Sequence, residues 1–217
     1  MRVTHWITAL SFFALVLSGV EILISHPRFY WGDEGHALTP SLFELPIPAS
    51  RAAVKTGFGF VLPDQNGWSR ALHFQSAWLV VLAGLCYFLW GWWSRHFRVN
   101  LLPASRDLAW PVLAGAIRDH LGRRVPDDGP YNVLQRLAYA SVIFILFPMM
   151  IWTGLAMSPA IVSAFPGIVT ILGGHQSART IHFFVFLALM TFFATHVVMV
   201  VTTGFRKRMR GMVTGVR

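Results

Sequence analysis

The stretch ARTIHFFVFLALMTFFATHVVMVVTTG, residues 178–204, decides the fold. It is apolar over a length sufficient to cross a bilayer, which needs about 20 residues in a helix. It nevertheless carries two histidines, His182 and His196. Ionisable residues at membrane depth are costly, and they usually face the bundle interior and serve a function. The stretch therefore predicts a membrane-spanning helix with functional groups on one face.

The composition of the whole chain agrees with a membrane protein. Apolar residues make up 55% and charged residues 12%, about half the charged share of an ordinary globular chain. The net charge is +9, but the basic residues flank apolar segments, which indicates membrane orientation and no nucleic-acid partner. The single cysteine, Cys86, excludes a disulfide framework and multi-cysteine zinc or iron–sulfur sites.

Four segments are long enough to span the membrane, and they predict an all-α integral membrane four-helix bundle that forms one domain, 1–217. A cleaved signal peptide is the alternative for the first segment, but no small-residue cleavage site follows it. Pro148 predicts a kink in the third span. The predicted spans are about 5–24, 70–93, 132–157 and 178–204.

The connections between the spans differ in charge. The second connection carries six arginines and the C-terminal tail five basic residues, whereas the third connection, 158–177, has none. The positive-inside rule therefore predicts that both termini are cytoplasmic and that the first and third connections face outward. The first connection, 25–69, is too long for a turn. We expect it to carry a short helix or hairpin and either to cap the bundle or to dock an external partner.

The four histidines within spans fall at two depths. His182 and His196 are fourteen residues apart, so they point to one helix face about 21 Å apart along the axis. His73 lies near the outer end of the second span, level with His182, and His5 lies at the inner end of the first, level with His196. Each transverse pair can clamp one haem iron, and bis-histidine ligation favours electron transfer over oxygen binding.

Two other interpretations of these histidines have to be compared with haem ligation. The first is that all four are packing residues hydrogen-bonded between helices, which is the usual role of a lone membrane histidine but is less favoured for four in this arrangement. Zinc would need three or four ligands converging on one point, which two histidines per level do not supply. No Cys-x-x-Cys-His motif is present, so any haem is bound without covalent attachment.

An arginine precedes three of these histidines by three residues. Arg2, Arg70 and Arg179 each share a helix face with the histidine that follows. Each lies nearer the membrane surface, where a haem propionate emerges and a guanidinium can pair with it. The alternative is that the arginines extend to lipid headgroups. The mid-span glycines Gly19, Gly84 and Gly154 can admit porphyrin edges or, equally well, close helix packing.

The stretch Arg2-Val3-Thr4-His5-Trp6, the following Leu17-Ser18-Gly19 and the fourteen-residue histidine spacing resemble the bacterial di-haem cytochrome b561 family. This group includes the cytochrome b (gamma) subunits of formate dehydrogenase, nickel–iron hydrogenase and thiosulfate reductase. The resemblance covers all four spans. It implies two haems b, with His5 paired to His196 and His73 to His182. It also implies a multi-pass protein of the bacterial cytoplasmic (inner) membrane.

The resemblance extends to a quinone site near the inner haem. Residues 131–136, YNVLQR, resemble the family's Tyr-Asn-x-x-Gln-Lys/Arg stretch. Asn132 and Gln135 are then candidates to hydrogen-bond a quinone carbonyl. Leu134 stands where the formate dehydrogenase type has a glycine, which bears on the shape of the pocket. From the residues alone, Asn132 is equally well a helix N-cap, and both roles can coexist.

The leading functional prediction is electron transfer between the quinone pool and a periplasmic or other outer-face oxidoreductase subunit. One alternative is a stand-alone superoxide:ubiquinone oxidoreductase, which needs a basic outer funnel. The candidates for that funnel are Arg28, Arg51, Lys55, Arg70 and Arg179, opposed by Asp33, Glu34, Glu44 and Asp64. Another alternative is a non-redox membrane scaffold with structural histidines. We expect an electron-transfer subunit in preference to a stand-alone enzyme.

Overall fold

The computed structural model describes residues 2–36, 38–47, 54–55, 61–62, 66–121 and 132–215. Within these residues, four helices are long and apolar enough to cross a membrane. They are Arg2–Ser25, Gly67–Trp93, Val133–Ala156 and His175–Thr202. Each overlaps one predicted span, so the all-α membrane class is confirmed. The assignment of the termini to the cytoplasm stays a prediction.

The described residues contain nine α-helices, two short π-helical segments and one 3-10 turn. Short π-helical segments occupy Phe97–Leu101 and Val142–Leu146, and a 3-10 turn occupies Ser105–Leu108. The α-helices are α1 (Arg2–Ser25), α2 (Asn66–Trp93), α3 (Trp110–Leu121), α4 (Val133–Ser141), α5 (Phe147–Ala156), α6 (Pro159–Ala164), α7 (Gly167–Thr170), α8 (His175–Thr202) and α9 (Phe205–Thr214).

The chain divides into two compact units. The first lies within Met1–Tyr87 and Ile151–Phe183, and the second within Phe88–Met150 and Phe184–Arg217. The helices α2 and α8 each contribute to both units. The prediction that residues 1–217 form one domain stays a prediction.

Burial in the first unit is the inverse of that in a soluble protein. Large apolar side chains such as Leu10, Leu17 and Leu85 are exposed, whereas Ser18 and Thr153 are fully buried. Small hydroxyl residues allow close approach of helices in lipid, where burying leucine brings no hydrophobic gain. This arrangement places polar atoms inside the unit, where they can serve a site.

The third span is interrupted by a π-helical segment. Residues Val142–Leu146 separate α4 from α5, and Pro148 is the second residue of α5. Proline has no N–H to donate to the carbonyl of Phe144, and its ring crowds that carbonyl. Widening the preceding turn relieves this crowding, and single π turns occur often at functional positions. The irregularity expected at Pro148 is thus present as a π segment just before it.

The first connection folds into hairpins, as predicted. Strand β1 (Arg28–Phe29) pairs antiparallel with β2 (Phe43–Glu44), and β3 (Val54–Lys55) pairs with β4 (Val61–Leu62). The ring of Phe29 is buried between Phe43, at 4.6 Å, and Phe183 of α8, at 4.5 Å.

Hydrogen bonds fasten this connection to the first turns of α8. The Thr180 hydroxyl donates to the Tyr30 carbonyl at 2.7 Å, and the backbone N–H of Gly32 donates to Ser177 Oγ at 2.8 Å. The Gly32 carbonyl in turn accepts from the N–H of Gln176 at 2.9 Å. The described part of the connection is therefore a cap on the start of α8. Its docking role stays a prediction.

Candidate haem-binding site

His73 and His182 come together in the first unit. His73 and His182 each lie about two turns inside the start of their helices, α2 and α8, and their ring centroids are 6.4 Å apart. Two imidazoles opposed across one metal ion, each at a bond of about 2 Å, have ring centroids roughly 6 Å apart. The observed separation therefore fits an iron held between the two rings. The ring planes are inclined at 57°, which bis-histidine ligation tolerates because each ring can turn about its own metal bond.

A buried hydroxyl on α1 holds the far side of the His73 ring. Ser18 Oγ lies 3.0 Å from His73 Nδ1 and also donates to the Ala14 carbonyl at 2.7 Å. With its one proton donated to the Ala14 carbonyl or to the Leu15 carbonyl at 3.3 Å, the Ser18 oxygen can accept from Nδ1–H of His73. The tautomer with its proton on Nδ1 leaves the Nε2 lone pair available to a metal.

The same arrangement recurs at His182. Thr153 Oγ1 on α5 lies 2.8 Å from His182 Nδ1, and Thr153 is fully buried. Sequence reasoning did not assign a role to Ser18 or Thr153. The available signal was a hydroxyl residue directly before a mid-span glycine, which occurs as Ser18-Gly19 and Thr153-Gly154.

Two of the three mid-span glycines face these histidines. A Cβ at Gly19 would lie 3.4 Å from His73 Cε1, and a Cβ at Gly154 would lie 3.6 Å from His182 Cε1. Gly84, by contrast, meets nothing within 4 Å. Gly19 and Gly154 therefore leave the edge of each imidazole uncovered, which suits a flat ligand beside it.

The three predicted propionate partners differ in their surroundings. Arg179 donates to the carbonyls of Arg28, at 2.9 Å, and His26, and its guanidinium lies 4.9 Å from the Phe29 ring centroid. Arg179 therefore holds the outer cap, and any propionate contact has to coexist with these bonds. Arg2 and Arg70 are exposed. The propionate role of all three stays a prediction.

His5 and His196 belong to different units, and each has aromatic neighbours. His5 is exposed and meets the Trp6 ring edge-on at 5.4 Å. His196 stacks on Phe192 at 5.9 Å, and Phe192 in turn meets Tyr139 at 6.1 Å. Their pairing across one haem stays a prediction.

Described histidines outside the spans have local partners. His36 Nδ1 accepts from the N–H of Leu38 at 3.2 Å, and His96 Nδ1 lies 3.0 Å from Asn100 Nδ2. Partial burial lowers the pKa of His96 below its ordinary value. His175, expected in a connection, is instead the first residue of α8 and is exposed. The described residues contain no cluster of three or more His, Cys, Asp or Glu side chains that could hold a metal ion.

Asn132 is a helix N-cap, as one of the two interpretations predicted. Its Oδ1 accepts from the N–H of Gln135 at 2.9 Å, and Gln135 Oε1 accepts from the N–H of Asn132 at 3.2 Å. This capping box satisfies two N–H groups at the start of α4. It uses the amide oxygens of both side chains and leaves the NH2 group of Gln135 outside this pair of bonds. Tyr131 of the motif lies outside the described residues.

The next residue fixes the inner connection to α4. Arg136 donates through one terminal nitrogen to the carbonyls of Val99, at 3.1 Å, and Leu102, at 2.6 Å. These carbonyls lie at the end of the π-helical segment Phe97–Leu101, where helical partners run out. The start of the third span is therefore tied to the connection that precedes it.

Two of the outer basic residues proposed for the funnel of the superoxide alternative have partners among the described residues. Arg28 forms an ion pair with Glu44 at 2.9 Å, and this hydrogen bond raises the pKa of Arg28. Arg179 is bound to backbone carbonyls. Arg51 and Asp64 lie outside the described residues. Among the described groups, two of the predicted cations are therefore already neutralised or engaged.

Comparison with known proteins agrees with this geometry. A protein of Azospira oryzae (strain ATCC BAA-33 / DSM 13638 / PS) with the provisional name protein-methionine-sulfoxide reductase subunit YedZ1 is 28% identical over 200 residues. The alignment covers 92% of this chain and 87% of that protein. The family profile described as prokaryotic cytochrome b561 matches residues 1–215. The chain thus belongs to the prokaryotic cytochrome b561 family and is a multi-pass, helical membrane haem cytochrome of electron transport.

Proposed function

We propose that the protein binds two haems b and passes electrons between membrane quinone and an outer-face oxidoreductase subunit. The observation that carries this proposal is the 6.4 Å separation of the His73 and His182 rings. Two histidines at this separation would hold one haem iron between them, and the Nδ1 atom of each ring contacts a hydroxyl group, which leaves Nε2 to serve as the ligand. His5 and His196 are the proposed ligands of the inner haem, with Arg2, Arg70 and Arg179 as propionate partners.

Bound haem supplies reversible one-electron chemistry, and the protein supplies its ligands and surroundings. His73 and His182 would hold the outer haem. Exposed apolar side chains such as Leu17 and Leu85 face lipid and keep water from the spans. Two ligands per iron leave no open position, so the residues favour electron transfer over substrate binding at the metal.

The proposed quinone position is the start of the third span. Asn132 and Gln135 lie in one capping box, and an amide NH2 group can donate to a quinone carbonyl oxygen. Because the box engages the amide oxygens, it fixes the direction of the side chains, and the NH2 group of Gln135 lies outside this pair of bonds. Leu134 lies between them in the sequence and shapes the approach.

The proposed partner is an oxidoreductase subunit on the outer face. The name of the Azospira relative assigns that protein to a reductase of protein methionine sulfoxide. Reducing a sulfoxide to a thioether and water consumes two electrons and two protons. If the partner here performs this reaction, electrons flow from quinol through the inner haem to the outer haem. The partner then docks near the hairpin cap of the first connection.

The direct test is a haem count on the purified protein with single histidine variants. A pyridine-haemochrome assay should give two haems b per chain. We expect His73→Ala and His182→Ala each to lose the outer haem, and His5→Ala and His196→Ala each to lose the inner one. His175→Ala, at an exposed position on the same helix as two proposed ligands, is the matched control and should keep both. One haem per wild-type chain, or haem loss in the control alone, would contradict the proposal.

A further inference from the structure

The outer histidines are each held by a hydroxyl–glycine dipeptide, which we define as Ser18-Gly19 on α1 and Thr153-Gly154 on α5. We propose that Ser18 and Thr153 are positioning residues that fix the tautomer and ring orientation of the haem ligands His73 and His182, and thereby lower the outer haem's reduction potential. The inference rests on the proposed function, since it concerns the same iron site.

The contacts of Ser18 favour one direction for its hydrogen bond to His73. A serine hydroxyl has one proton, and two local carbonyls can accept it, that of Ala14 at 2.7 Å and that of Leu15 at 3.3 Å. The oxygen is therefore the acceptor for His73 Nδ1–H at 3.0 Å. Ser18 is 0% exposed, so water does not replace this acceptor. An unsatisfied buried N–H costs about 1–3 kcal/mol, which disfavours any ring position without the bond.

The dipeptide also opposes a flip of the ring. Turning an imidazole by half a turn about its Cβ–Cγ bond exchanges Nδ1 with Cδ2 and Cε1 with Nε2. In the observed position, the hydroxyl meets Nδ1 and the glycine lies beside Cε1, which are adjacent ring atoms. After a flip, the buried hydroxyl of Ser18 would face a carbon, and Nε2 would take the position of Cε1 beside Gly19. One dipeptide thus selects the orientation in which Nε2 faces the iron.

The second dipeptide repeats this geometry. Thr153 is also 0% exposed and lies 2.8 Å from His182 Nδ1, while Gly154 lies beside His182 Cε1. Hydroxyl residues within helices commonly donate to a carbonyl one turn earlier, and we infer from this tendency that the Thr153 oxygen accepts from His182 Nδ1–H. The two axial ligands of one iron therefore receive equivalent support from two different helices.

This support has an electronic consequence. A hydrogen bond from Nδ1–H to an acceptor makes the other nitrogen a stronger donor to the metal. Stronger donation stabilises ferric over ferrous iron, so the two bonds lower the reduction potential of the outer haem. Loss of an outer-shell partner typically weakens metal binding about 10- to 100-fold. A tenfold weakening confined to the ferric state raises a one-electron potential by about 59 mV.

Thr153 offers a clean test because two substitutions separate its hydroxyl from its volume. Thr153→Val keeps the shape and removes the acceptor, whereas Thr153→Ser keeps the acceptor and removes a methyl group. Redox titration and low-temperature EPR of the purified, haem-loaded full chain report the potential and the ligand ring orientation. We expect Thr153→Val to raise the outer haem's potential by about 59 to 118 mV, for a 10- to 100-fold weakening, or to lose that haem, and Thr153→Ser to match the wild type. Ser18→Ala should act as Thr153→Val does.

The control is Ser25→Ala, which removes another buried serine of α1 whose hydroxyl donates only to a local carbonyl, that of Glu21. It should leave the potential and EPR signals unchanged. Equal shifts in Thr153→Val and Thr153→Ser, or wild-type signals in Thr153→Val and Ser18→Ala, would overturn the inference. If His73→Ala and His182→Ala keep both haems, the proposed function fails instead, so the two failures are distinguishable.

Discussion

Substitutions at the capping box decide whether the start of the third span binds quinone or only begins a helix. Asn132→Ala removes the acceptor of the 2.9 Å bond from the Gln135 N–H. Loss of an N-cap typically costs about 0.5–2 kcal/mol. We therefore expect lower stability of Asn132→Ala whichever role is correct, so this variant alone does not separate them.

Two isosteric substitutions do separate the roles. Aspartate caps helices as well as asparagine does, and glutamate closes a capping box as well as glutamine does. Neither carboxylate can donate a hydrogen bond at neutral pH. Asn132→Asp and Gln135→Glu therefore keep the helix start and remove the donor. Loss of one such bond costs about 0.5–1.5 kcal/mol, which is roughly a 2- to 13-fold loss in apparent quinol affinity.

The assay is the rate of haem reduction by quinol, measured beside haem content and thermal stability. If Asn132 and Gln135 bind quinone, Asn132→Asp and Gln135→Glu keep both haems and wild-type stability but are reduced more slowly at limiting quinol. If Asn132 only caps the helix, both are reduced at the normal rate and only Asn132→Ala loses stability and haem together. Normal kinetics in all three variants with full haem would refute this placement and direct the search to the outer haem.

Two further predictions concern the outer haem. Arg179→Met removes the bonds to the carbonyls of His26 and Arg28. We therefore expect the hairpin cap to become more sensitive to protease added to the outer face, while both haems remain bound. Loss of the outer haem instead would favour pairing of Arg179 with a propionate. Gly154→Ala should keep the outer haem, because its Cβ would lie at a normal contact distance of 3.6 Å from His182 Cε1, whereas Gly154→Leu should lose it. Gly84→Leu is the control, since a Cβ there meets nothing within 4 Å; equal haem contents in the two leucine variants would contradict this role of Gly154.

The spans were predictable because a bilayer permits few solutions. Without water, a lipid-exposed segment has to satisfy its own backbone hydrogen bonds, so a long apolar stretch forms a helix. The pairing of His73 with His182 followed from depth alone, since both lie near the outer ends of their spans. The sequence also indicated Asn132 as a cap, because an asparagine three residues before a glutamine at a helix start is a local signal.

Other features depend on tertiary contacts that no local pattern specifies. Pro148 predicts a break in the regular hydrogen-bond pattern of the third span. A kink or a π turn would relieve the crowding equally, and packing decides which of the two forms. Arg179 lies at the depth of a propionate, yet its contacts depend on the path of the first connection, which brings the carbonyls of His26 and Arg28 to it. The sequence of this connection contains no local signal that specifies the path of its backbone.

The hydroxyl–glycine dipeptides lie between these two cases. Serine and threonine in a span have an ordinary role in satisfying the carbonyl one turn back, so Ser18 alone indicates nothing about a metal ligand. The combination is more specific: a hydroxyl residue and a glycine in succession, at the depth of a histidine on another span. The pattern occurs on α1 and again on α5, and each copy contacts Nδ1 and lies beside Cε1 of a different histidine. Two histidines supported alike from separate helices, with ring centroids 6.4 Å apart, fit a symmetric bis-histidine site, whereas histidines that merely packed would have no need for matching supports.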